Sequence, residues 1–222
     1  MRKKIVVTGG TGRFGNHLKS ISTKHKLFFP TKNQFNILNV NSMLKYLKKT
    51  KPDIVIHLAG FSRPMELHEK DINKSINLNI IGTANVTMAC SQKNIKLIYF
   101  STNYVYPGIN GNYNEDDPLK PFNNYAWSKL GGECSVKLYR NSLILRVCMT
   151  EKPFIHKKAF ANVKTSFMYH DEVAKILFKL LNKQGIINIG GKAQYIYNFA
   201  KKENKKVKKI YQNKKMKIKV PF

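Results

Sequence analysis

The sequence predicts an α/β protein built on a doubly wound parallel sheet. Three observations carry this expectation. Short branched-aliphatic runs alternate with segments of helical period along most of the chain. A glycine cluster, Gly9-Gly10-Thr11-Gly12-Arg13-Phe14-Gly15, sits where the first such run gives way to the first helix. The length, 222 residues, suits one sizeable core with a small appendage.

The elements follow in order. Lys4–Thr8 reads as a buried parallel strand and Gly15–Ser22 as its helix. Lys26–Pro30 is a second strand and Asn41–Lys49 a helix, and Asp53–Leu58 is a further apolar strand running into Ala59-Gly60. Ile72–Gln92 is a long helical region in which Ile76, Ile80, Ala84 and Met88 recur every four residues. Leu97–Ser101 is the next strand, and Tyr104–Phe122, rich in Gly, Pro, Asn and Asp, is a loop. Asn124–Tyr139 has helical period, and Ser142–Val147 is expected as the sixth strand. The pattern loosens over Cys148–Phe167, then resumes with a helix at Asp171–Asn182, a strand at Ile186–Ile189 and a short helix near Tyr195–Lys202. Lys201–Lys219 is a lysine run expected as a solvated or frayed end.

Composition bounds the function. Hydrophobic residues at 42% belong to a globular protein. No apolar run approaches bilayer length, and Met1–Gly10 lacks the apolar core of a signal peptide. Cys90, Cys134 and Cys148 lack any metal or disulfide spacing, which suggests reduced thiols and a cytoplasmic location. The net charge of +28 is compatible with nucleic acid, anionic lipid or phosphorylated small molecules as partners. Of 40 basic residues only Arg2, Arg13, Arg63, Arg140 and Arg146 are arginine, the side chain that reads bases and phosphates in pairs. Compositional drift toward Lys and Asn is therefore favoured over a dedicated polyanion surface.

The glycine turn points to a dinucleotide. Gly9 permits a sharp turn, Gly12 lets backbone approach a pyrophosphate, and Gly15 lets the helix pack closely on the strand. The helix N-terminus then offers N–H groups and a positive dipole. At the first junction of a βαβ pattern this is a Rossmann-type signature. No acidic residue precedes Asp53, so none stands where an NAD enzyme holds the ribose 2′-hydroxyl. Arg13 with Thr31 and Lys32 could receive a 2′-phosphate instead, which favours NADP(H) over NAD(H).

Tyr125-Ala126-Trp127-Ser128-Lys129 places a phenol and an ammonium one helical turn apart. A cation beside the phenol would lower its pKa and make Tyr125 a usable acid or base. A hydroxyl at the C-terminal end of the preceding strand, in Ser101-Thr102, could hydrogen-bond the oxygen that Tyr125 protonates. The histidines show no metal-ligand spacing; His57 reads as strand-end packing and His170 as a helix start, and no metal is expected.

These motifs resemble extended short-chain dehydrogenases. Asn114-Glu115-Asp116-Asp117-Pro118 through Tyr125, Lys129 and Gly132-Glu133, with Ser101–Tyr106 and Ile144-Leu145-Arg146, is similar to dTDP-4-dehydrorhamnose reductases. The resemblance covers roughly residues 3–147 and returns near Tyr169–Ala174 and Ile187–Gly191. It implies Thr102, Tyr125 and Lys129 as catalytic residues. It implies Gly9, Thr11, Gly12, Arg13, Phe14, Gly15, Thr31, Lys32, Asn36, Ile37, Leu58, Ala59, Gly60, Tyr125 and Lys129 as cofactor-binding. Arg63, Asn79 and Asn103 are candidates for substrate contact, Asn79 either ordering a relay water or bonding backbone. Sugar-nucleotide dehydratases carry an acid pair where this chain has Asn103 and Tyr104, so dehydration is disfavoured.

The expected organisation is a Rossmann core over residues 1–147, a reduced substrate-binding appendage with the last sheet elements over 148–200, and a Lys-rich tail over 201–222. The implied reaction is reduction of a nucleotide-linked keto-deoxysugar. A nucleotide-sugar 4-epimerase and a non-catalytic nucleotide-sensing subunit of the same fold are the alternatives, and a homodimer is left open.

Overall fold

The computed structural model describes residues 1–213 and 220–222. Its centre is a parallel sheet of six strands in the order β2-β1-β3-β4-β5-β10. These are β1 (Lys4–Thr8), β2 (Lys26–Phe28), β3 (Ile54–His57), β4 (Lys96–Thr102), β5 (Ser142–Val147) and β10 (Gly185–Ile189). Ser142–Val147 is thus the fifth strand in the chain, not the sixth. The sixth strand of the sheet is Gly185–Ile189, the tenth in the chain, which pairs with β5 from Gly185↔Leu143 to Ile189↔Val147.

Side chains alternate across the sheet with period two, and both faces are apolar because helices cover both. Ile5, Val7, Ile54, Ile56, Ile98, Phe100, Leu143 and Leu145 pack with α1 (Arg13–Ser20) and α7 (His170–Leu180). Val6, Val55, Leu97, Tyr99 and Ile144 face the other way, onto α2 (Val40–Thr50), α5 (Gly82–Gln92) and α6 (Asn124–Lys137). Between β3 and α5 lie two single turns, α3 (Leu67–Lys70) and α4 (Ile72–Ser75), and a π-helical stretch, Ile76–Ile81.

The four-residue recurrence in Ile72–Gln92 does not mark the buried face. Ile76 and Met88 are 40% and 47% exposed, while Asn79, Thr83, Val86, Ala89 and Cys90 are buried. The inner stripe is made of small residues because α6 passes close by. A side chain on Gly132 would come within 2.8 Å of the Asn79 carbonyl.

Beyond β5 the chain builds an appendage from short strands: β6 (Met149–Thr150), β7 (Lys158–Phe160), β8 (Lys164–Thr165), β9 (Met168–Tyr169), β11 (Gln194–Tyr195) and β12 (Lys208–Ile210), with α8 (Ile196–Lys201). Phe154, Ala159, Tyr169, Phe199, Ala200 and Val207 form its own small core. The Lys-rich end is therefore not a free tail. Its β12 pairs in parallel with β7, and Val207 and Val220 are buried. Part of the expected tail, 214–219, lies outside the described residues.

One buried ion pair joins core and loops. Arg146 on β5 meets the Glu133 carboxylate on α6 at 3.0 Å, both side chains almost fully buried. Its remaining donors reach the Tyr106 hydroxyl at 2.7 Å and the Glu115 carbonyl at 2.9 Å. The long loop over Tyr104–Phe122 is thereby tied to the sheet.

Candidate active site

The C-terminal ends of β1, β3, β4 and β5 and their following loops enclose a cleft of about 770 Å³. Sheets of this topology bind ligands at that edge. All the residues expected from the sequence line it: the turn from Gly9 to Gly15, Thr31, Lys32, Asn36, Ile37, Leu58 to Gly60, Arg63, Asn79, Thr102, Asn103, Tyr125 and Lys129.

The glycine turn is built for close approach. Gly9 has φ +70°, and a side chain there would lie 2.7 Å from the Ala59 nitrogen. At Gly15 it would meet Gly10 Cα at 2.8 Å. Gly12 heads α1 without a side-chain cap, so the first turn faces the cleft with backbone alone. Thr8 anchors the turn. Its Oγ1 accepts from the Leu58 and Ala59 N–H groups at 3.2 and 3.1 Å and lies 2.8 Å from His57 Nδ1. With its lone pairs taken, the hydroxyl proton goes to Nδ1, leaving Nε2–H to donate to Thr83 Oγ1 at 3.2 Å. Burial, with the charge of Lys129, pushes His57 down to about 3, so this structural imidazole stays neutral.

The Asn123 side chain caps α6 by accepting from the Ala126 N–H at 2.8 Å, which fixes Tyr125 in the first turn. Tyr125 packs edge-on against Tyr104 and His68. Burial raises its pKa; hydrogen bonding from Thr102 and the charge of Arg63 oppose that rise. Lys129 follows Tyr125 one turn along α6 and is buried. Its Nζ lies 4.1 Å from the centre of the Tyr99 ring. Burial lowers it to about 7 against the pull of Glu133.

Three more of the expected residues have partners within the protein. Asn79 has both amide protons taken: it donates to the Phe61 carbonyl at 2.7 Å and to Ser128 Oγ at 2.8 Å, and its Oδ1 accepts from the Phe61 N–H at 2.7 Å, the backbone-bonded alternative of the two expected. It positions the loop after β3 against α6. Asn103 donates to the Pro221 carbonyl at 2.8 Å, which links the site to the chain's last residues. Arg13 does not join Thr31 and Lys32. It reaches across to Glu151, beyond β5, at 2.7 Å, whereas Thr31 and Lys32 follow β2 at the opposite side of the sheet.

Lys19, Glu151 and His170 also line the cleft, and the sequence reading did not single them out for it. Lys19 extends over the Phe29 ring beside Thr31. Glu151 is the only acid within Cys148–Phe167, a signal available in the sequence. His170, at the start of α7, is pushed down to about 4 by burial, against the Glu151 carboxylate. Next to the cleft lies a second cavity of about 460 Å³ with Phe154, Phe160, Phe167 and Ile196 as apolar walls and Arg63, His156, Lys157 and Lys158 as basic ones. Among the described residues no cluster could hold a metal ion, and no helix is long and apolar enough to cross a membrane.

Sheet, glycine turn and cleft define a protein of the Rossmann type. The chain belongs to the family of the RmlD substrate binding domain, whose sequence model matches residues 2–166. It is 28% identical over 143 residues to methionine adenosyltransferase 2 subunit beta of Pongo abelii, covering 60% of this chain and 42% of that protein. It is 28% identical over 140 residues to dTDP-4-dehydrorhamnose reductase of Mycolicibacterium smegmatis, covering 61% of this chain and again 42% of the relative. The matches thus span less than half the length of these curated relatives. The dTDP-4-dehydrorhamnose reductase of Bacillus anthracis, solved in complex with NADP, superposes with a TM-score of 0.83 at 21% identity, over 96% of this chain and 85% of that one.

Proposed function

We propose that this protein is an NAD(P)H-dependent reductase of a nucleotide-linked keto-deoxysugar. The observation that carries this is that Thr102, Tyr125 and Lys129 line the same cleft as the glycine turn. The tight backbone at Gly9 and Gly15 and the uncapped start of α1 suit a dinucleotide pyrophosphate. When bound, the nicotinamide supplies the hydride that reduces the keto carbon. Tyr125 gives the developing alkoxide its proton, and Thr102 hydrogen-bonds the same oxygen and holds the phenol ready. Lys129 supplies a cation to the ribose hydroxyls and to the proton path once it leaves Tyr99.

NADP(H) is favoured over NAD(H) on the basis of Lys32, after β2, and Lys19, on α1, which both line the cleft. The first acid in the chain, Asp53, accepts the Lys4 N–H at the opposite end of the strands and cannot serve a ribose. The second cavity, aromatic within and basic at its rim, suits the nucleotide half of the substrate. The exposed Ile76, Met88 and Trp127 support self-association as a homodimer, and three free thiols support a cytoplasmic location. A second reading, a nucleotide-binding subunit without turnover, is favoured by the likeness to a protein named as a subunit. NADPH oxidation with a panel of nucleotide-4-keto-6-deoxysugars tests the choice: turnover supports the reductase, and cofactor binding without turnover on any sugar supports the subunit.

A further inference from the structure

A single carboxylate stands inside the cleft among its cations. Glu151 pairs with Arg13 at 2.7 Å and faces Arg63 at 3.6 Å, with its own side chain only 16% exposed. The three residues come from three different loops. Arg13 opens α1 in the glycine turn, Arg63 follows β3, and Glu151 follows β6. Both arginines line the cleft, with side chains 52% exposed for Arg13 and 36% for Arg63. His170 adds a buried imidazole to the same cluster.

We infer that Arg13 and Arg63 form a diphosphate subsite and that Glu151 is its internal counter-ion, displaced when a ligand diphosphate arrives. Two guanidiniums on separate loops, converging on one carboxylate, present the forked donors that phosphate oxygens accept. A dianion offers the pair more charge than one carboxylate does. Glu151 in turn offsets the repulsion between the two guanidiniums and ties the appendage to both core loops. Lys152, next in sequence, pairs with Glu203 at 3.3 Å, so the segment stays anchored to the appendage when Glu151 lets go. The inference rests on the reading of the cleft as a dinucleotide and nucleotide-sugar site. The diphosphate could belong to either molecule.

The test is a double-mutant cycle on Arg13→Gln and Glu151→Gln, with affinity read by NADPH fluorescence and, on the NADPH-loaded protein, by calorimetry with a nucleoside diphosphate. Because the pair is partly exposed, Glu151→Gln should tighten the displacing ligand by roughly fivefold. That gain should vanish in the Arg13→Gln background. A gain in the first titration assigns the subsite to the cofactor, and a gain only in the second assigns it to the sugar nucleotide. Unchanged or weaker binding of both ligands overturns the inference, as does a gain that survives without Arg13, since simple repulsion would then explain it. If Glu151→Gln does not fold, Glu151→Ala carries the same expectation. Failure of the wild-type protein to bind NADPH at all would instead reject the reading of the cleft.

Discussion

The Lys129 Nζ lies 4.1 Å from the centre of the Tyr99 ring, one helical turn along α6 from Tyr125. The two residues of the Y-x-x-x-K spacing share a helix face, yet the amine is buried on an aromatic ring and depressed to about 7. Burial raises the pKa of Tyr125, and hydrogen bonding with Thr102 and the charge of Arg63 oppose the rise.

That depression makes cofactor uptake pH-dependent. Lys129 is charged below about 7 and loses its charge as pH rises through that value. If the cation is what holds the ribose, NADPH affinity should fall above pH 7, by up to roughly tenfold per pH unit. Lys129→Arg, which stays charged, should flatten the profile; fluorescence titration on both sides of pH 7 reads it. The unfolded chain keeps this proton to its ordinary 10.5, so between 7 and 10.5 the unfolded state binds more protons, and this residue's contribution to stability rises with pH.

Gly9→Ala should damage fold and binding together. The new methyl would meet the Ala59 nitrogen at 2.7 Å in a left-handed backbone. A loss of about 1–3 kcal/mol in denaturant unfolding is expected, with NADPH binding abolished. Wild-type affinity in this variant would mean that the turn does not contact the cofactor.

Breaking the Glu133–Arg146 pair should cost more. Removing one partner leaves a buried charge, so Glu133→Ala is expected to lose about 3–5 kcal/mol by chemical denaturation. The loop from Tyr104 to Phe122 should then gain hydrogen exchange, because Arg146 holds it through Tyr106 and Glu115.

Cofactor preference should follow Lys32 and not Arg13. Lys32→Ala is expected to lower the NADPH-to-NADH preference roughly tenfold, the size of a charge-assisted contact. Arg13→Ala should leave the ratio unchanged, since its guanidinium faces Glu151 across the sheet. Steady-state kcat/KM for each cofactor decides between them.

What was legible in the sequence is what local spacing encodes. The strands β1 to β5, the Gly9–Gly15 turn and the Tyr125 helix all lie within a few residues of where the periodicity puts them. Long-range choices were not legible. Nothing near Arg13 in the chain announces Glu151, and nothing near Lys129 shows that Tyr99 receives its amine. In Ile72–Gln92 the large apolar side chains drew attention to the exposed face, because close packing against Gly132 fills the inner face with small residues. The Lys-rich end looked solvated because three residues of β12 are too few to show a period.

The central claim is best tested by following NADPH oxidation with a nucleotide-4-keto-6-deoxysugar in wild-type protein and in Tyr125→Phe. The account predicts turnover in the wild type and a drop of roughly 10²–10⁴-fold in kcat for the variant, with NADPH affinity nearly unchanged. Equal turnover in the two proteins would contradict it.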